Sequence, residues 1–101
     1  MPTRFEWDPA KAAINLRKHA ISFDIAIRAF ADPFALTQQI RIENGEQRWQ
    51  TLGIVEGHLL LLVVHTVRDD AEDGEPIEVI RIISARAADR KERRRYEQET
   101  R

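Results

Sequence analysis

The chain has 101 residues, a length that buries one hydrophobic core but not two, so a single domain is expected. Hydrophobic residues make up 43% and charged residues 33% of it, which excludes a disordered chain and fits a folded domain with a well-solvated surface. Cysteine is absent, which excludes a disulfide framework and a thiolate metal site, and the net charge of −1 conceals acids gathered at 69–75 and bases at 86–95.

The opening residues lack the apolar stretch of a signal peptide, and the longest apolar run, 59–64, is too short to span a bilayer. A cytoplasmic protein without membrane contact is expected. Phe5 and Trp7 alternate with Glu6 in a short strand signal, after which Asp8 supplies an N-cap and Pro9 suits the first helical position. Ala10, Ala13, Leu16 and Ala20 give that helix an apolar face, and Lys18 and His19 complement its dipole in the last turn. Ser22 caps a second helix with Phe23, Ala26, Ile27 and Phe30 on its apolar face, and Asp32-Pro33 ends it. The two helices form a hairpin.

Strand-like segments follow at 35–43, 46–54, 58–67 and 77–84. Asn44-Gly45 predicts a type I′ turn, since both central positions need positive φ, and Glu56-Gly57 suggests the next turn. The acidic link 68–76 reads as a solvated connection whose sequence permits mobility. Segment 58–67 is apolar on both faces, so it is expected in the centre of the sheet, with helices on one side and on the other a second cover that a partner could supply. Spacings of four between Asp89, Arg93 and Glu97 place a last helix at 89–99. The expected fold is α+β, a small antiparallel sheet packed on helices in the order β-α-α-β-β-β-β-α.

His19, His58 and His65 show no metal-ligand spacing, and neither a glycine-rich phosphate loop nor a GxSxG elbow is present, so no metal and no cofactor is expected. The remaining inventory, cations with a few acid or base candidates, suffices for RNA cleavage by its own 2′-OH. That reaction needs a base, an acid and positive charge over the phosphorane. Alternation along 78–84 sets Glu78, Ile80, Ile82 and Ser84 on one face and Val79, Arg81 and Ile83 on the other. Arg81 among apolar neighbours is then either a salt-bridged structural residue or a phosphate clamp. Arg86, near the start of the last helix, adds a second cation, with a plain surface arginine as the alternative. His65 is an acid or base candidate or a buried hydrogen-bonded histidine, and Arg48 points away from Trp49, able to meet phosphate. The run Arg93-Arg94-Arg95, interrupted by Glu92 and Glu97, is a weak nucleic-acid signal.

Phe5-Glu6-Trp7-Asp8-Pro9-Ala10-Lys11, Asn15-Leu16-Arg17-Lys18-His19, Phe30-Ala31-Asp32-Pro33 and Arg81-Ile82-Ile83-Ser84-Ala85-Arg86, followed by Glu92-Arg93 and Tyr96, occur in an order that resembles the BrnT family of toxins. The resemblance covers nearly the whole chain. It implies a RelE-like fold and a ribonuclease toxin of a type II toxin–antitoxin pair, acting on RNA to arrest translation and growth. It also implies a BrnA-type antitoxin with a ribbon-helix-helix part, through which alone operator DNA would be engaged. Carried over by motif, Lys18, His19, His65, Glu78 and Arg81 are the catalytic candidates and Arg48 and Arg86 RNA contacts, to which Arg90 of the basic end is added as a further RNA contact. The end of the first helix would then face the same cleft as the open sheet. Two departures stand out: Ala20 replaces the family's usual glycine, which could shift the helix end and His19, and an acidic insert around 69–75 separates His65 from Arg81. Two rival readings stay open, a non-catalytic nucleic-acid-binding regulator and a degenerate toxin acting only as corepressor.

Overall fold

The first helix begins where Asp8 and Pro9 place it. In the computed structural model, which describes residues 2–99, strand β1 (Thr3–Trp7) leads into helix α1 (Pro9–His19). The Asp8 carboxylate accepts the Ala10 N–H at 2.8 Å, satisfying one of the donors left free in the first turn. At the other end Ala20 takes the left-handed conformation (φ 61°) and its N–H reaches the Leu16 carbonyl, so the helix closes there as it would with glycine.

The buried face of α1 is not the one that apolar spacing suggests. Ile14 is 53% and Leu16 51% exposed, Ala10 and Ala13 are also exposed, and the helix turns Ala12 and Asn15 inward. The reason lies in what it packs on. Strand β5 (Glu75–Ala87) outruns its partner β1, which pairs only as far as Trp7 opposite Ile82, and this leaves backbone groups of β5 to be satisfied. The Asn15 side chain does so: its Oδ1 accepts the Ala85 N–H at 3.0 Å, and its Nδ2 donates to the carbonyls of Ala85 and Ile21 at 2.8 and 2.9 Å.

Ser22 caps helix α2 (Phe23–Ala26), which tightens into a 3-10 segment (Ile27–Ala31). Strands β2 (Leu36–Glu43), β3 (Glu46–Val55), β4 (Leu59–Glu72) and β5 then form an antiparallel meander, and β1 adds in parallel to the outer edge of β5. The sheet order is β1-β5-β4-β3-β2, antiparallel except at that one edge. The element order and the α+β class agree with the reading from sequence.

Segment 68–76 departs from expectation. Instead of an irregular link, β4 and β5 continue as a paired ribbon to a two-residue turn at Asp73 (φ 52°) and Gly74 (φ 79°). Its composition is polar because the ribbon projects past β3, whose pairing with β4 stops at Trp49 opposite His65, and past β1, which begins at Thr3 opposite Glu78.

Both faces of the sheet are used. Leu61, Val63, Ile80, Ile82 and Ala85 pack under α1, α2 and the 3-10 segment, while Leu52, Leu60 and Leu62 pack on the other side with Tyr96 of helix α3 (Arg90–Glu99). The second cover of β4 is thus the chain's own last helix. Asp32 fastens it: its Oδ2 accepts the Tyr96 hydroxyl at 2.5 Å and the Ile54 N–H at 2.8 Å. Burial acts to raise the Asp32 pKa, but hydrogen bonds from Ile54, Tyr96 and Phe34 outweigh it and hold the carboxyl below its usual range.

Candidate active site

Helix α3 covers only one end of its face. Beyond Leu62 the same face of β4 carries Val64, Thr66 and Arg68, and the paired strands bring polar side chains beside them. One row runs Gln38, Gln50, Val64, Ser84 from β2 to β5. The next sets Thr66 of β4 beside Arg81 of β5 and Glu6 of β1.

Ser84 joins this face because β5 holds an extra residue. Val64 pairs with Ser84 and His65 with Ile82, so Ile83 has no partner of its own across the ladder. Strict alternation would have put Ser84 on the face opposite Arg81. The bulge moves it to Arg81's side, next along the strand.

Arg81 is exposed and has no hydrogen bond or ion pair among the described residues. Other arginines on the strands are engaged: Arg4 with Glu72 at 3.2 Å, Arg68 with Glu6 at 2.9 Å, Arg41 with Glu43 at 3.1 Å. Beyond the bulge, Ile83 and Ser84 line a cleft of about 170 Å³ with Lys18 and His19 from the end of α1 and Asn15 behind them. Arg81 does not itself line this cleft; Ser84, which borders it, is the next residue along β5 on Arg81's face.

The other candidates lie elsewhere or are occupied. His65 is 1% exposed on the helix-covered face, its Nε2 2.8 Å from Thr51 Oγ1 and its ring edge-on to Phe30 at 4.9 Å. Burial pushes its pKa down to about 4, so it is neutral at neutral pH. Glu78 also faces that side, beside Phe5, Phe30 and Ile80. The geometry thus separates His65 and Glu78 from Arg81 by the thickness of the sheet. Arg86 does share the Arg81 face but is held bidentately by Glu92 at 2.8 and 2.9 Å. Glu92 in turn closes a reciprocal cap with Asp89, accepting its N–H at 2.9 Å and donating its own to Asp89 Oδ1 at 2.8 Å. The hydrogen bond from Arg86 holds the Glu92 carboxyl below its usual range despite burial. Arg86 accordingly anchors α3. Arg90 is exposed in the first turn of that helix. Arg48 lies on the open face in the strand beside Thr66, with its side chain 16% exposed and its Nη2 3.7 Å from Glu46.

Ser84, Gln50 and Glu6 belong to this surface although sequence reasoning did not single them out. A signal existed in β3, where Arg48 and Gln50 precede Leu52 at one-face spacing, marking a face that turns from polar to apolar midway. Among the described residues no three His, Cys, Asp or Glu side chains converge into a metal-holding group. No described helix is long and apolar enough to cross a membrane.

A family model described as ribonuclease toxin, BrnT, of type II toxin–antitoxin system matches residues 7–92. Among solved structures the chain is similar to the 1.1 Å crystal structure of the Brucella abortus ribonuclease toxin BrnT, at 20% identity and a TM-score of 0.57. The match covers 89% of this chain and 100% of that one, and at this identity it speaks for the fold. No curated protein sequence matches the chain.

Proposed function

The chain belongs to the BrnT family of ribonuclease toxins of type II toxin–antitoxin systems, and from that premise we propose that it cuts RNA on the open half of its sheet without a metal ion. The observation that carries this reading is Arg81: a guanidinium on a strand, open to solvent and without a hydrogen bond or ion pair among the described residues, with Ser84 of the same face bordering the cleft lined by Lys18 and His19.

The attacking 2′-OH forms a bond to the adjacent phosphorus, the P–O5′ bond breaks, and a 2′,3′-cyclic phosphate remains. Arg81 and Lys18 neutralise the added charge of the phosphorane, the stage at which fixed cations lower the barrier. His19 moves the proton between the 2′-OH and the leaving oxygen, taking the role considered for His65 and Glu78 on sequence grounds. Arg48 extends the cationic surface along the RNA backbone. Arg90 supplies general field, and Arg86 positions α3.

The test is cleavage of RNA with chelator present. Wild type is expected to cut and to leave cyclic phosphate ends, and Arg81→Gln to lose about 100-fold or more in rate. Chelator-sensitive cutting, 3′-hydroxyl ends, or unchanged cutting by Arg81→Gln would overturn the mechanism. Salt-sensitive binding with no product would favour the regulator instead. The protein partner is assigned as a BrnA-type ribbon-helix-helix antitoxin, which would bring operator DNA to the complex; co-purification with such a protein, and DNA binding only by the pair, is the expected result.

A further inference from the structure

The open face beside Arg81 carries a ladder of alternating charge that comes from the acidic ribbon. Starting near its tip, Glu72 pairs with Arg4 at 3.2 Å, Arg4 approaches Asp70 at 3.6 Å, Asp70 approaches Arg68 at 3.9 Å, and Arg68 holds Glu6 at 2.9 Å. Glu6 stands directly opposite Arg81 across the β1–β5 pairing. Val79, fully buried in the row of Arg4 and Arg68, lies under this ladder. The ladder therefore ends on Arg81, the strand cation of this face that makes no hydrogen bond or ion pair among the described residues.

Glu6 is the carboxylate set to compete with RNA for Arg81, and its attachment to Arg68 decides which it serves. We propose that Arg68, held in turn by Asp70 of the ribbon, is a positioning residue that keeps Glu6 off Arg81 and so leaves Arg81 free for phosphate. The Glu6 carboxyl lies below its usual range, through the Arg68 hydrogen bond first and the charges of Arg68, Arg81 and Arg4 after it, so it remains an ionised competitor throughout the neutral range. In this arrangement the acidic insert does not screen the site. Its acids on this face, Asp70 and Glu72, are engaged by Arg4 and Arg68, and the net effect on Arg81 is release.

The inference rests on the reading of Arg81 as a phosphate ligand, and a double-mutant cycle separates the two. The measurement is binding of a 2′-O-methyl RNA oligonucleotide, which cannot be cut, by the full chain over a range of salt concentrations. Arg81→Gln is expected to weaken binding about tenfold and lower the salt slope by about one. Arg68→Gln is expected to do the same, because Glu6 then clamps Arg81. Glu6→Gln alone is expected to stay within about twofold of wild type, whereas Glu6→Gln in the Arg68→Gln background restores both affinity and slope. Arg68→Lys, which keeps one bond to Glu6, retains binding and serves as the probe if Arg68→Gln fails to fold. An equal effect of Glu6→Gln in both backgrounds, or no loss in Arg68→Gln, would show a simple sum of charges and overturn the gating role. Wild-type binding by Arg81→Gln would instead overturn the Arg81 reading, and the inference with it.

Discussion

Asn15 shows how far one side chain can depart from what residue averages suggest. A helix with Ile14 and Leu16 available turns both toward solvent and buries an amide, because that amide matches a strand edge as another strand would. Replacement by leucine keeps the volume but strands the Ala85 N–H and C=O without partners. Each buried orphan costs on the order of 1–3 kcal/mol, so Asn15→Leu is expected to destabilise by about 3 kcal/mol, read as a lower urea midpoint at unchanged slope. A neutral outcome would mean that water reaches Ala85. Arg81 and Arg86 make the same point about charge. They lie on one face of one strand, and what distinguishes them is the presence of Glu92 beside only the second.

At the scale of elements, what was legible in the sequence is what is local. Asp8-Pro9, Ser22 and Asn44-Gly45 act through their own backbone, and each starts or turns its element as read. The apolar face of α1, the face of Ser84 and the state of 68–76 depend on partners distant in sequence: the free edge of β5, an unpaired Ile83, and the neighbours β1 and β3 that fall short of the ribbon. Of the candidate site, residue type alone singled out Lys18, His19 and Arg81, and strand alternation already set Glu78 on the face opposite Arg81. That His65 lies under the helices was not legible, since nothing in a strand's own pattern says which face a helix will cover. Gly53 is another contact of this kind. A Cβ there would stand 2.3 Å from the Ala29 carbonyl oxygen, because the 3-10 segment crosses β3 in direct backbone contact. Gly53→Ala must push the two elements apart and is expected to cost about 2 kcal/mol, measurable as a fall in melting temperature. Retention of the wild-type midpoint would contradict so close a crossing.

For the molecule as a whole, the buried titratable groups set a direction for acid stability. The native pKa of His65 is about 4 against an ordinary 6.5, so between these values the unfolded chain binds more protons than the folded one. Its contribution is fully present above about 6.5 and is lost as the pH falls toward 4, amounting to about 3 kcal/mol. Asp32 and Glu92, with carboxyls held low, add a further loss through the carboxylate range. Stability is therefore expected to be flat around neutrality and to fall in two stages below it, with the upper stage missing in His65→Phe. Urea midpoints at pH 7 and 4.5 for both proteins decide this, and an equal fall in the two would remove His65 as the source.

The parallel pairing of β1 with β5 also has a consequence for the order in which the protein comes into being on the ribosome. Strands β2 to β5 follow one another through tight turns and can zip in sequence as they emerge, whereas β1, made first, has no partner until β5 is complete. Glu6 then meets Arg81, Asn15 meets Ala85, and Asp32 meets Tyr96 only near the end of synthesis. The proposed RNA-cutting surface is assembled from the two ends of the chain. If that surface is the site of cutting, a chain that ends before β5 is expected to leave RNA intact.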